Sequence, residues 1–135
     1  MKNEEHILQV QCVNWFRKNY PELMKDGREK LYANPNGGNR PKKQAKNGKF
    51  YCQEGARIKR EGGRKGVADL LLMVARGGDH GMYIEMKTPI GKQSKEQRYF
   101  EEDCVEEGYA YALCRSLDEF QKDCIEYLGK GRGVA

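Results

Sequence analysis

At 135 residues the chain has the length of one ordinary domain, enough to close a single hydrophobic core and too short for a catalytic domain beside a separate recognition domain. Lysine and arginine number 25 against 20 aspartates and glutamates, a formal charge of +5, and ten of the basic residues fall between Arg40 and Lys65, where only Glu54 and Glu61 oppose them. That distribution predicts one face suited to polyanions, while five cysteines without a C-x-x-C pair argue against a disulfide scaffold. The longest apolar run, Leu70 to Ala75, is too short to span a bilayer, so no membrane role is expected. The opening MKNEEHILQ enters a helical pattern without the basic region and apolar run of a signal peptide, which points to a reduced, cytoplasmic compartment.

In chain order, residues 4 to 19 place Leu8, Cys12, Trp15 and Phe16, joined by Val10 and Val13, at the spacing of an amphipathic helix that Asn19, Tyr20 and Pro21 end. KLYAN (30 to 34) predicts a short strand, and Pro35, Asn36, Gly37 and Gly38 impose a turn after it. From Asn39 to Glu61 the chain is polar and basic, with a break at Asn47-Gly48 and a helix from about Cys52 to Glu61. Gly62, Gly63 and Gly66 lead into VADLLLMVA (67 to 75), apolar on both faces except at Asp69, the pattern of a central strand covered by helices. Arg76 to Gly81 reads as a turn. MYIEMK (82 to 87) then alternates, with Met82, Ile84 and Met86 on one face and Tyr83, Glu85 and Lys87 on the other, until Pro89 and Gly91 stop it.

Ser94 and Gln97 have the spacing of a capping box, and Tyr99, Phe100, Cys104 and Val105 give the following helix an apolar stripe that ends at Gly108. YAYALC (109 to 114) reads as a buried strand. Ser116 and Glu119 form a second capping box, opening a last helix lined by Phe120, Cys124 and Leu128. One α/β/α domain over residues 1–128 accommodates these elements, with 129–135 as a flexible C-terminal tail.

If Arg76 to Gly81 joins its neighbours as a hairpin, a midpoint near residues 78 and 79 sets Asp69 across from the neighbourhood of residue 88 and gathers Asp69, Glu85 and Lys87 at one end of the sheet. Register decides this, since a slip of one residue turns a side chain to the other face. Two carboxylates and an ammonium on central strands are costly to bury without partners, and a hard divalent cation accounts for them. Mg²⁺, for which Mn²⁺ substitutes, prefers oxygen ligands, keeps several waters and binds through one or two carboxylates together with substrate phosphate. In that arrangement Asp69 and Glu85 hold the ion, the carbonyl of Met86 is an extra ligand, and Lys87 hydrogen-bonds the attacking water and the scissile phosphate.

The structural alternative is that Asp69 marks a strand end and Glu85 pairs with Lys87 or Arg76 in an ordinary salt bridge. Glu5 and Gln9 share the inward side of the first helix with Cys12 and Phe16; Glu5 there either answers the helix N-terminus or completes the metal shell. Gln97 either orients a water or phosphate or serves its capping box.

The assembled pattern resembles the VRR-NUC branch of the PD-(D/E)xK nuclease superfamily. The resemblance runs from EEHILQ through YANPNGG, GRKGVADLLL, YIEMK and GKQSKEQ to GYAYALCRSLDEF, in that order. It implies a restriction-endonuclease-like α/β core, a mixed central sheet flanked by helices, and magnesium-dependent hydrolysis of DNA phosphodiester bonds, selective for branched DNA or four-way junctions. It also implies a helix glutamate at Glu5, a metal-binding Asp69, the Glu85 and Lys87 pair, and Gln97 close by, with Gln9 and Asn34 at the margin. Ala68 stands where proline commonly precedes the aspartate, a departure that affects strand entry more than chemistry. Stand-alone members look like phage or prophage proteins working in a bacterial host cell, some as homodimers on branched DNA, so a homodimer is implied here too.

For the DNA backbone, the basic residues Lys42, Lys43, Lys46, Lys49, Arg57, Lys59, Arg60, Arg64 and Lys65 offer salt-sensitive contacts independent of base sequence, extended by Lys92 and Lys95. Asn36 with Gly37 and Gly38 allows a strand to approach closely or simply makes a tight bend. Tyr32, Tyr51 and Tyr83 either stack on bases or pack internally. The same basic block also fits a non-catalytic nucleic-acid-binding module. Two histidines, His6 and His80, far from any cysteine pair, argue against zinc.

Overall fold

The computed structural model describes residues 4–34, 43–44, 50–51 and 53–133, with the backbone alone at 43–44, 50–51 and 53–55. Helix α1 (Glu4–Asn19) carries Glu4 and Glu5 in its first turn and Arg17 and Lys18 in its last, charges placed to suit the helix dipole. The side-chain amide of Asn19 donates to the Trp15 carbonyl at 2.8 Å. A 3₁₀ turn (Pro21–Leu23) leads into a small hairpin of β1 (Met24–Lys25) and β2 (Arg28–Glu29), and then β3 (Leu31–Ala33). A second small hairpin, β4 (Lys43–Gln44) with β5 (Phe50–Tyr51), precedes α2 (Gln53–Arg60). After it come β6 (Leu70–Leu72), β7 (Met82–Met86), α3 (Lys95–Glu106), β8 (Ala110–Cys114) and α4 (Leu117–Leu128). Neither hairpin has an alternation long enough to be read from the sequence.

The central sheet has the order β3-β6-β7-β8 and is mixed: β3 with β6 and β6 with β7 are antiparallel, while β7 and β8 are parallel. Parallel neighbours need a crossover, and α3 supplies it. On one face Leu70, Leu72, Met82, Ile84, Met86, Ala112 and Cys114 pack with Cys12 and Phe16 of α1 and Phe120, Cys124 and Tyr127 of α4. Across the sheet, Phe100 and Cys104 of α3 pack with Ala68 and the rings of Tyr83, Tyr109 and Tyr111. The result is the expected α/β/α arrangement, a mixed sheet flanked by helices.

The structure corrects several details. Strand β6 covers only 70–72 of the expected 67–75: Val67 and Ala68 pack under α3 outside the ladder, and Met73 is 51% exposed. Past Leu72 the chain stays with its other neighbour, the Met73 amide donating to the Lys30 carbonyl at 2.7 Å and the Val74 carbonyl accepting from the Tyr127 hydroxyl at 2.6 Å.

The hairpin turn centres on Gly77 and Gly78, both at positive φ, inside an Arg76–Asp79 bridge, one residue earlier than the sequence predicts. Between that bridge and the Leu72–Met82 pair, three residues (73–75) face two (80–81). Extending the ladder from the Leu70–Ile84 pair therefore sets Asp69 opposite Glu85 rather than residue 88.

On α3 only Phe100 and Cys104 of the predicted stripe are buried; Tyr99 and Val105 are exposed. Strand β8 is an edge strand and mostly half-buried. The Ser94 and Gln97 capping box forms in full. At α4 only half of the second box forms: Ser116 accepts from the Glu119 amide, but Glu119 reaches back to the amide of Arg115. Beyond α4, the Gly131 carbonyl accepts the amide of Gly77. Among the described residues no helix is long and apolar enough to cross a membrane.

Candidate active site

Asp69 sits in the bend that enters β6, with its backbone fixed by Asn34 just after β3. The Asn34 amide donates to the Asp69 carbonyl at 2.8 Å, and the Asn34 side-chain amide donates to the Ala68 carbonyl at 3.0 Å. The Asp69 carboxylate in turn accepts the amide of Met86 at 2.7 Å through Oδ2, which ties it across the sheet to the end of β7. Glu85, in the α3-facing row of β7 with Tyr83, is 3% exposed. Its Oε2 accepts from the side-chain amide of Gln97 at 3.1 Å, while Oε1 is buried with no hydrogen-bond partner.

Gln97 forms the capping box that its sequence position suggested and adds a contact with Glu85 that it did not suggest. Its Oε1 accepts the Ser94 amide at 2.8 Å to complete the capping box while its amide nitrogen holds Glu85. Gly66 permits this close approach: at φ +85°, a Cβ there would lie 2.5 Å from the backbone of Glu96 and 2.8 Å from the Gln97 nitrogen.

Burial pushes the Glu85 carboxyl from its ordinary value of 4.5 up to about 9; the charge of Asp69, a hydrogen bond shared with Asp69 and the charge of Glu5 add to the rise, and Lys87 opposes it. With both carboxyls ionised, Oε1 faces another anion without a donor. Two things relieve that: a proton on Glu85, donated to Asp69, or a cation between them. A site of two carboxylates with free oxygen lone pairs fits Mg²⁺, which completes its shell with water and phosphate. Glu5, in the first turn of α1, comes near enough to act on Glu85, although among the described residues no group of three His, Cys, Asp or Glu side chains closes around a common point. Its effect on Glu85 is that of a neighbouring like charge. Met86 contributes its amide to Asp69, which leaves its carbonyl a separate group.

Lys87 follows at the end of β7, half-buried, its amide donating to the Cys114 carbonyl at 3.0 Å. No salt bridge joins Glu85 to Lys87 or Arg76 among the described residues; Arg76 turns to the Ala75 carbonyl at 2.8 Å. Gln9 is half-buried one turn beyond Glu5. Arg57, Lys59, Arg60 and Lys65 are exposed on and after α2, and Lys92 and Lys95 flank the start of α3. Arg64 has a partner of its own, an ion pair with Asp103 at 2.7 Å beside the ring of Phe100. Tyr83 packs edge-on against Phe100, whereas Tyr32 is 38% exposed beside Met73. Asn36, Lys42, Lys46 and Lys49 lie outside the described residues, as do Gly37 and Gly38; Lys43 and Tyr51 are described by backbone alone.

Three further residues shape the site without a signal in the sequence. The Gln93 side-chain amide bridges Glu101 (3.0 Å) and the Tyr111 hydroxyl (3.2 Å). Burial, then the charge of Glu85, raises the Tyr111 phenol. Arg115 donates to carbonyls of the loop after Lys87. Each is a polar residue beside an element end, a position too common to single out from one sequence.

The chain is thus a mixed α/β domain, a four-stranded sheet between helices, in which Asp69 and Glu85 lie side by side on two central strands. The chain matches the VRR-NUC domain family over residues 3–118 and belongs to it, which makes it a nuclease-type domain with DNA as the expected partner. A solved VRR-NUC domain protein shares the fold at a TM-score of 0.73 and 23% identity, covering 96% of this chain and 92% of its own. No curated protein matches the sequence.

Proposed function

We propose that the protein is a metal-dependent endonuclease that hydrolyses DNA phosphodiester bonds, with Asp69 and Glu85 as metal ligands and Lys87 as the catalytic amine. The observation that carries this reading is the buried, unpartnered Oε1 of Glu85 facing Asp69. With both carboxyls ionised the pair would leave an unpaired buried charge, which is strongly destabilising, so the two share a proton when metal-free and a cation when one is bound. In a nuclease-type domain a divalent cation and the substrate phosphate would take the place of that proton.

Held by Asp69 and Glu85, a bound Mg²⁺ or Mn²⁺ would supply Lewis-acid polarisation of the phosphate and a more acidic bound water. The chain's own groups do the rest. The Met86 amide and Gln97 hold Asp69 and Glu85 by one oxygen each, which leaves the other oxygen of each carboxylate for the ion. Lys87 donates to the phosphate and to the attacking water, opposing the charge that builds on the phosphoryl oxygens. The water oxygen forms the new bond to phosphorus, the bond to the leaving sugar oxygen breaks, and that oxygen takes up a proton as the water loses one. Glu5, Gln9 and Asn34 border this space, and the exposed cations from Arg57 to Lys65, with Lys92 and Lys95, hold the backbone on either side. Lys42, Lys43, Lys46, Lys49 and Asn36 extend the same proposal. Selectivity for branched DNA, and a homodimer that presents two such sites, are its finer parts.

The test is a cleavage panel of linear duplex, single strand, flap and four-way junction in Mg²⁺ and Mn²⁺, run at several protein concentrations beside sedimentation of the protein. Wild-type protein cuts at least one substrate, and Asp69→Ala and Lys87→Ala each lose at least about a hundredfold in rate while retaining measurable DNA affinity. Full, salt-sensitive binding with no cutting in either metal supports the non-catalytic binding module instead.

A further inference from the structure

The chain leaves β7 through the turn 88–91, immediately after Lys87, and that turn is pinned. Arg115 Nη1 donates to the carbonyls of Thr88 at 2.7 Å and Gly91 at 2.6 Å, with a longer approach to Pro89 at 3.4 Å. The Gly91 amide donates back to the Thr88 carbonyl at 3.2 Å. Arg115 is itself anchored, its amide donating to Glu119 Oε1 in the first turn of α4 at 2.6 Å. A Cβ on Gly91 would lie 3.5 Å from Lys87 Cδ and 2.9 Å from Thr88 Oγ1, so the lysine stem runs alongside the turn.

Between Pro89 and Gly91, Ile90 is 90% exposed, the largest exposure of any large hydrophobic residue described. A single exposed aliphatic side chain is ordinary on a protein surface. What separates Ile90 from the others is its place, in a turn whose carbonyls on either side are tied by a guanidinium, three residues from the amine proposed to meet the scissile phosphate. A residue whose flanking backbone is already tied loses little backbone freedom when a partner covers it. On DNA, apolar surface is offered chiefly by the thymine methyl and by the base faces, and the faces open only where a step is unstacked.

We propose that Ile90 is an apolar wedge that enters the DNA between unstacked bases beside the phosphate engaged by Lys87, with Arg115 as the positioning residue that keeps the turn rigid. The inference rests on the nuclease reading above and adds to it a reason for preferring DNA whose stacking is already broken.

The experiment compares cutting of a fully paired duplex with cutting of the same duplex carrying a bulge at the mapped cleavage position. A parallel series in the Asp69→Ala background reads the fluorescence of 2-aminopurine placed at that position. Ile90→Ala should slow cutting of the paired duplex by about tenfold or more, the equivalent of one lost aliphatic burial, and should abolish most of the fluorescence rise. On the pre-opened duplex the loss should stay under about threefold, because the unstacking cost is already met there. Ile90→Leu should restore both readouts, and Arg115→Met should reproduce the paired-duplex defect with an unchanged circular dichroism spectrum. Equal losses on paired and pre-opened DNA, or wild-type behaviour of Ile90→Ala on both, overturn the wedge. Wild-type protein that cuts neither duplex overturns the nuclease reading and the wedge together, whereas wild-type cutting matched by Ile90→Ala overturns the wedge alone.

Discussion

Glu85 concentrates the electrostatics of the site, and its burial has a thermodynamic signature that does not depend on substrate. With its carboxyl raised from 4.5 to about 9, the folded protein holds a proton between those values that the unfolded chain has released. Stability from this group is therefore complete below about pH 4.5 and is lost as pH rises towards 9. Thermal melts of the metal-free protein should give a Tm that falls with pH across this window, and Glu85→Gln should flatten the slope. An unchanged slope in the variant would assign the pH dependence to other groups. Added Mg²⁺ should raise Tm most at the alkaline end, where its ligands are already deprotonated. At this scale the sequence was informative: the alternation in MYIEMK put Glu85 on the face opposite Met86. It did not reveal the double use of Gln97, because one amide serving a cap and a carboxylate requires knowing where α3 lies on the sheet.

Among the elements, the register between β6 and β7 determines whether a site exists. A regular hairpin closed at Arg76 and Asp79 would set Asp69 opposite Met86 and turn its side chain to the α1 face; the extra residue in 73–75 moves it opposite Glu85. That offset was not legible, since a glycine-rich turn and an apolar run accept several registers. The helices were more readable: α1 spans the predicted 4–19, and α3 starts after the predicted cap. Periodicity failed for the outer half of α3, where Tyr99 and Val105 have no layer to pack against. Phe100 and Cys104 seat α3 on the sheet, and Gly66 lets the chain pass close under its first turn. Gly66→Ala meets both the left-handed backbone and the Glu96 main chain, and denaturant unfolding should show a loss of about 1 to 3 kcal/mol. Cutting by the folded fraction should fall as well, through displaced Gln97; undiminished cutting would separate α3 placement from the site.

Over the whole molecule, charge is segregated. The basic residues on and after α2 stand apart from the acidic run of α3, and Arg64 ties the two through Asp103. If the exposed cations hold phosphates, DNA affinity falls steeply with salt, and replacing Lys59 and Arg60 by alanine should reduce the slope of log affinity against log salt by about one unit for each contact removed. A slope unchanged in that double variant would place the DNA path elsewhere. Composition alone indicated this asymmetry, and the order of motifs indicated the family; the small hairpins and the pinned turn at 88–91 have no comparable signal, being built from two-residue pairings and a long-range arginine.

The most direct measurement is the Mg²⁺ dependence of single-turnover DNA cleavage by wild-type protein and by Glu85→Gln, whose amide keeps the shape of the side chain but cannot carry the ligand charge. Wild-type cutting should rise saturably with Mg²⁺ and vanish in chelator, while the variant stays at least about a hundredfold slower at every concentration. Cutting that persists in chelator, or a variant that matches wild type, would contradict a cation held between Asp69 and Glu85.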